Sequence, residues 1–216
     1  MQHLKTIFPL GLLTALVGIA GCGGKIRYPN YYVLTVPAPP SANVRPKPLL
    51  GSVAVREFSA PGFLKEGSIV YRPSPEQVDF YNYARWGEDP RRAVTQAMAR
   101  EVQARRVFES VDVFDGRVLP KYFLTGTLEH LEEVDQGAKV SIEVGVSARL
   151  ADARSGEVLW EGASTKTATL DEHSVAGIVS GMSHELATAV AELAASMQGQ
   201  LLAASSLAAG HSDVEE

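Results

Sequence analysis

The sequence contains 216 residues, with 20 Lys and Arg against 25 Asp and Glu and a formal net charge of −5. This acidic balance argues against nucleic-acid binding, which requires Lys and Arg clustered on one surface. Because the chain has a single cysteine, Cys22, neither an internal disulfide nor a cysteine-based zinc site can hold the fold together.

The first 21 residues have the three parts of an export signal. A short start contains Lys5, an apolar run covers residues 7–19, and small residues follow before a cleavage site. Cys22 comes directly after Ile-Ala-Gly, which resembles the lipobox of bacterial lipoproteins, whose cysteine thiolate accepts a diacylglycerol. We therefore predict a lipoprotein signal peptide over residues 1–21 and lipidation of Cys22.

The residue after Cys22 bears on where the anchored protein resides. By resemblance to lipoprotein sorting in Gram-negative cells, an Asp at this place would favour the inner membrane, and this chain has Gly23. We expect the periplasmic face of the outer membrane, with residues 22–30 as a lipidated tether. Two acyl chains already suffice for stable attachment.

Short extended segments follow the tether. Residues 31–36 are β-branched and aromatic, which predicts a first strand docked on the domain. The proline-rich residues 36–48 favour an extended polyproline II segment that spaces or wraps the domain. Alternation around Val53 and Val55 and the run 68–71 predict two further short strands.

Three longer strands are predicted over residues 121–134, 139–150 and 157–169. In the second, Val and Ile alternate with polar residues, so one face belongs to the core and the other to solvent. Turn-forming residues separate the three strands and predict hairpin connections. The result is an antiparallel three-stranded meander.

Two helices complete the predicted elements. Asp89 and Pro90 are typical of an N-cap and a first helical position, and helical spacing continues to about Arg106. A second helix of about 30 residues begins near Ser174, judged from its apolar stripe. It contains two glycines one turn apart, which predicts close packing against a neighbouring element.

These elements predict an α+β fold. We expect a two-layer sandwich, in which an antiparallel sheet includes the three-stranded meander and two helices pack on one face. The mature chain is long enough for one well-packed domain, which we assign to residues 31–205. Residues 206–216 are small and polar, and we expect them to form a disordered tail.

The sequence lacks the motifs of several enzyme classes. It contains no phosphate-binding Gly-x-x-x-x-Gly-Lys loop and no Gly-x-Ser-x-Gly elbow, and His184 lacks the second histidine of a zinc protease at Thr188. By alternation, His130 is predicted to be a hydrogen-bonded core histidine. The acidic residues at 132–135 are interpreted as solvated at a strand end. We predict no catalytic residue, metal or cofactor.

Aromatic residues and arginines concentrate within residues 71–86. Tyr, Trp and Arg are enriched at interface hot spots, which favours a binding surface. The alternative is that the aromatics belong to the core and that Arg72 pairs with a local carboxylate. The flanking prolines indicate a loop, and both interpretations stay open.

This segment also carries a family resemblance. A Tyr-Arg-x-Ser-Pro element is followed by an Arg-Trp element, and a Tyr and a Leu lie in the first strand. With these elements the mature chain resembles the ABC-type transport auxiliary lipoproteins, the family that includes paraquat-inducible protein C. The matching residues are our interface candidates: Tyr32, Leu34, Tyr71, Arg72, Ser74, Pro75, Arg85 and Trp86.

The resemblance implies a non-enzymatic, membrane-anchored component of an envelope system that transports lipids. Its partners would be an MCE-domain protein and an ABC permease and ATPase in other chains, and the lipoprotein would dock the complex at the outer membrane. One alternative is a lipid carrier with a deep apolar cavity of its own, and a more distant one is a periplasmic hydrolase with a polar triad. Whether the chain forms a homo-oligomer stays open.

Overall fold

The structure is a computed structural model that describes residues 27–40, 50–136, 139–170 and 173–212. Eight strands form one sheet. In chain order they are β1 (Asn30–Tyr32), β2 (Val53–Val55), β3 (Ser68–Ser74), β4 (Gln77–Trp86), β5 (Val111–Val113), β6 (Tyr122–Gln136), β7 (Lys139–Asp152) and β8 (Val158–Leu170). The helices are α1 (Pro90–Arg105) and α2 (Val175–Ser212), and a 3₁₀ turn covers Gly62–Lys65.

The long strands β6, β7 and β8 form the framework of the sheet. They pair antiparallel along nearly their whole lengths, which confirms the predicted meander. On β7, Ile142, Val144 and Val146 are buried on the face that carries the helices. The opposite face is polar, with a row of threonines on β8.

The other edge of β6 is shared by two strands. β2 pairs with the first part of β6 and β3 with the last part, both parallel to it. The sheet is therefore mixed and not purely antiparallel as predicted. Parallel pairing needs crossover connections, whose spatial course a local hydrophobic pattern does not specify.

Both helices lie on one face of the sheet, which confirms the predicted sandwich. The Asp89 side chain accepts a hydrogen bond from the Arg91 backbone amide at 3.0 Å, so α1 begins as its N-cap predicts. The Arg105 guanidinium at the end of α1 donates to the Ala191 carbonyl at 2.8 Å and holds α1 against α2. A Cβ built on Gly181 would lie 2.7 Å from Ile142 Cδ1, which confirms the predicted close packing of α2.

Helix α2 extends beyond the buried core of the domain. Helix α2 runs to Ser212, although its buried residues end with Leu201 and residues 203–207 are exposed. The predicted signal peptide, the predicted lipidation site Cys22 and the predicted tether as far as residue 26 lie outside the described residues. The proposed limits at 31 and 205 stay a prediction. None of the helices in the described ranges is both long and apolar enough to cross a bilayer.

Candidate functional site

The segment interpreted as a loop is in fact a β-hairpin. β3 and β4 pair antiparallel, with Tyr71 opposite Asp79 and Ser74 opposite Gln77. The turn between them contains Pro75, which needs no ladder partner there. The aromatic residues of β4 are typical of a strand, but the prolines led us to predict a loop.

The hairpin separates the two elements of the sequence motif. Its turn forms one end of β4, whereas Arg85 and Trp86 end the strand beside β1, as partners of Tyr31 and Tyr32. A ten-residue strand spans about 30 Å at roughly 3.3 Å per residue. The interface candidates therefore do not form one contiguous surface.

Arg72 ties the hairpin to the central strand. Its Nε and Nη2 atoms donate to the two carboxylate oxygens of Glu132 at 2.9 and 3.1 Å, and Nη1 donates to the Pro75 carbonyl at 3.0 Å. The Arg72 side chain is 19% exposed and the Glu132 side chain is fully buried. The hydrogen bonds with Glu132 raise the pKa of the Arg72 guanidinium. The carboxylate is distant in sequence, and not local as the alternative interpretation assumed.

A β-bulge changes the side of the sheet that His130 occupies. Leu128 pairs with Val146 but His130 pairs with Gly145, so one residue of β6 is left without a partner. The imidazole therefore lies on the outer face, beside Gly145, and is partly exposed. The prediction of a core histidine was wrong because simple alternation fails at a bulge.

Three groups on this outer face could in principle approach one cation. A nitrogen of His130 and carboxylate oxygens of Glu132 and Glu143 lie within 4.8 Å of one another. Both oxygens of Glu132 already accept hydrogen bonds from Arg72, and His130 Nδ1 lies 3.2 Å from one of them. A metal would have to displace the guanidinium, so the cluster is better described as an arginine-neutralised carboxylate pair.

A second buried carboxylate lies on the helix side of β6. Glu133 accepts a hydrogen bond from the Tyr81 hydroxyl on the hairpin, and its other oxygen lies 3.0 Å from Nε2 of His173, just before α2. The interpretation of residues 132–135 as solvated was wrong for Glu132 and Glu133, which are buried. The strand β3, which lies beside these two residues in the sheet, is distant from them in the sequence. No local pattern could therefore predict that they are buried.

Two tyrosines of the hairpin, Tyr71 and Tyr81, donate hydrogen bonds to carboxylates. Burial and the hydrogen bond to Glu133 raise the pKa of Tyr81 far above its ordinary value of 10. The hydrogen bond to Asp79, 2.9 Å long, raises the pKa of Tyr71. The two rings pack with their centroids 5.2 Å apart. These contacts fix the hairpin on the sheet.

The remaining candidates divide into buried and accessible residues. Trp86 is 6% exposed, and Tyr32 and Leu34 pack against the core from the edge, so all three support the fold. Pro75 and Arg85 are exposed, and Ser74 is half-buried. Only the last three offer a partner substantial side-chain surface at the ends of β4.

The described part of the chain also contains open grooves. One of about 450 Å³ lies between the segment after β1 and helix α2. Its lining includes apolar residues, such as Val33 and Val179, and polar ones, such as Ser180, Ser183 and His184. A groove that is open and partly polar is a surface feature, unlike the enclosed apolar cavity that carrying a lipid requires.

Taken together, the sheet, the two helices and the fixed hairpin define an α+β sandwich domain in which Arg72, Tyr81 and His173 contact the buried carboxylates. The family model of the ABC-type transport auxiliary lipoprotein component matches residues 32–195. The chain belongs to this family. A comparison with curated proteins finds no match.

Solved structures show where the fold recurs. Protein XCC0632 from Xanthomonas campestris superposes with a TM-score of 0.66 at 17% identity, over 79% of this chain and 97% of that one. A second crystal structure, of an uncharacterised protein, gives a TM-score of 0.60 at 12% identity, over 77% and 97%. The PelC dodecamer from Paraburkholderia phytofirmans superposes less well, with a TM-score of 0.45 at 19% identity, over 68% of this chain and 86% of that one.

Proposed function

We propose that this lipoprotein is the outer-membrane docking component of an ABC transport system of the MCE type, which moves lipids across the envelope. It is anchored through Cys22 on the periplasmic face and contacts an MCE-domain protein, while the permease and ATPase are other chains. Catalysis is not part of this role.

The observation that supports the proposal is that the two ends of the hairpin lie far apart, one beside β1 and the other at the turn. The tether reaches the domain at β1, which pairs with the last three residues of β4. The hairpin turn lies at the opposite end of β4, about 30 Å away at strand geometry. A domain held at one end by lipid therefore presents an exposed turn at the other, where a partner can dock.

The rigidity of the turn supports the same role. Arg72 donates one hydrogen bond to the Pro75 carbonyl and another to the buried carboxylate of Glu132. Hydrogen bonds therefore connect the turn to the central strand β6. Docking surfaces held in one conformation bind with a smaller loss of entropy. The continuous buried core between sheet and helices favours docking over lipid carriage.

Co-purification with the MCE-domain protein tests this proposal. Pro75 at the turn is replaced by alanine, and two exposed arginines away from the turn serve as controls: Arg149→Ala on the outer face of β7 and Arg85→Ala at the tether end of β4. We expect Pro75→Ala to lower recovery of the partner at least about tenfold, the loss expected of a hot-spot residue, and both control variants to keep it. Recovery with Pro75→Ala equal to that with Arg149→Ala, or a loss confined to Arg85→Ala, would contradict docking at the turn.

Two other candidates are unsuitable as probes. Trp86→Ala would empty a core position at a cost of about 3–5 kcal/mol, and Arg72→Ala would strand a buried carboxylate. Loss of the partner in either would report on folding.

A further inference from the structure

An exposed aromatic patch surrounds the point where the tether meets the sheet. As whole residues, Tyr28, Tyr31, Val33 and Tyr83 are 79%, 67%, 55% and 48% exposed. We call these four residues the tyrosine patch. Single exposed apolar residues are ordinary, but four within two neighbouring strands and their flanks form a surface.

Two members of the tyrosine patch flank one point of the sheet edge, and arginines lie beside the patch. A Cβ built on Gly87 would contact both Val33 and Tyr31, at 3.3 and 3.7 Å, so these two side chains flank one point of the edge. The Arg27 guanidinium lies 5.8 Å from the centre of the Tyr83 ring. Exposed Arg85 pairs in register with Tyr31.

The tether is too short to let this patch leave the membrane surface. Four residues lie between Cys22 and Arg27, and the five steps from one Cα atom to the next allow at most about 18 Å between the two ends even when fully extended. Acyl chains on Cys22 place that residue at the boundary between headgroups and hydrocarbon. The tyrosine patch begins within one residue of Arg27.

The chemistry of the patch matches the bilayer interface. Tyrosine has an apolar ring and a polar hydroxyl, and it concentrates at the level of the lipid headgroups. Arginines beside it are attracted to anionic headgroups. A protein partner would also accept aromatic residues, but the short connection from Cys22 to Tyr28 favours the membrane as the occupant of this surface.

We propose that the tyrosine patch inserts into the headgroup region of the membrane that holds the lipid anchor, and so fixes the orientation of the domain. The anchor and the patch then form two attachment points in place of a single flexible one. This inference rests on acylation of Cys22, which is part of the proposed function.

Fluorescence quenching in vesicles tests the orientation. Full-length acylated protein is reconstituted into phosphatidylethanolamine and phosphatidylglycerol vesicles whose acyl chains are brominated. Tyr31→Trp reports on the patch, and Val158→Trp, 46% exposed on β8 at another edge of the sheet, is the matched control. Trp86 and Trp160 contribute the same background to both. We expect the added fluorescence to be quenched at least about twofold more for Tyr31→Trp, because interfacial side chains lie close to the acyl boundary.

Three other outcomes would each overturn the inference, for different reasons. Equal quenching in protein that incorporates palmitate and stays with the vesicles overturns the inference and leaves the anchor in place. Equal quenching with a dimer that dissociates upon Tyr31→Ser assigns the patch to a second copy, which also overturns the inference. Failure to incorporate palmitate contradicts the anchor itself, and the inference with it.

Discussion

Arg72 and Glu132 form an ion pair in which only the arginine contacts solvent. Both oxygens of the carboxylate are used by one guanidinium, a bidentate geometry that lysine could not provide. Such a pair adds little net stability compared with apolar residues, yet removing one member leaves a buried charge. Its role in this domain is to hold the hairpin in one position.

We predict that Arg72→Ala lowers the free energy of unfolding by about 3–5 kcal/mol, because Glu132 would stay buried without its partner. Urea unfolding measures the change, with exposed Arg149→Ala as a control that shifts stability by less than about 0.5 kcal/mol. The double variant Arg72→Met with Glu132→Leu should recover most of the loss. A single variant as stable as the control would show that Glu132 finds water or another partner.

At the residue scale, the sequence identified Arg72 as a residue with a special role but not its partner. Glu132 lies 60 positions further along the chain, and it becomes a neighbour only because β3 runs parallel to β6. His130 illustrates the same limit, since one extra residue in β6 moves it to the other face of the sheet. The Arg72–Glu132 contact and the position of His130 both depend on the register of the strands.

Helix α2 packs closely against the sheet. It contacts β7 and β8 along the face that begins with Ile178 and Met182, and Gly181 lets the helix approach Ile142 and Leu170. A glycine inside a helix costs about 1 kcal/mol relative to alanine. Close approach of the helix to the sheet offsets that cost.

Gly181 and Gly199 form a matched pair for testing this balance. Nothing lies within 4 Å of a Cβ built on Gly199, so Gly199→Ala should raise the free energy of unfolding by about 0.5–1 kcal/mol. At Gly181 the new methyl group would overlap Ile142, and overpacking typically costs about 1–3 kcal/mol. We therefore expect Gly181→Ala to be clearly less stable than Gly199→Ala in urea unfolding. Equal stabilisation by the two substitutions would mean that the helix packs more loosely than the structure indicates.

Elements with a strong local pattern were predicted well. Asp89 and Pro90 mark the start of α1 because capping and proline geometry are local effects. The hairpin of β3 and β4 was missed, since its prolines and bulged register resemble a loop when neighbours are unknown. Within the sheet, β3 also pairs with β6, which is distant in sequence and joins the hairpin to the long strands.

At the scale of the whole molecule, the start of the described chain beside β1 and the hairpin turn lie at opposite ends of β4. Acylation of Cys22 would fix one end of the domain at the membrane, and the other would be available to a partner. The two ends can be tested separately because different residues form them. Anchoring is the simpler of the two to measure.

We predict that Cys22→Ser leaves the precursor uncleaved and without palmitate, because serine provides no thiolate to accept the diacylglycerol. Metabolic labelling with palmitate and the electrophoretic shift of the precursor measure both effects. Cleavage and labelling at the wild-type level in this variant would refute the acylation site. A Gly23→Asp variant offers a matched test of sorting, and it should move the acylated protein toward the inner membrane.

The sequence by itself determined the predicted export signal, the meander, the two helices and the family, because each depends on residues close together in the chain or on a short motif. The tertiary structure decided which carboxylates are buried, which side of the sheet His130 occupies and how far apart the motif elements lie. Those features depend on strand register and on parallel pairing between distant segments, where a shift of one residue moves every side chain to the opposite face.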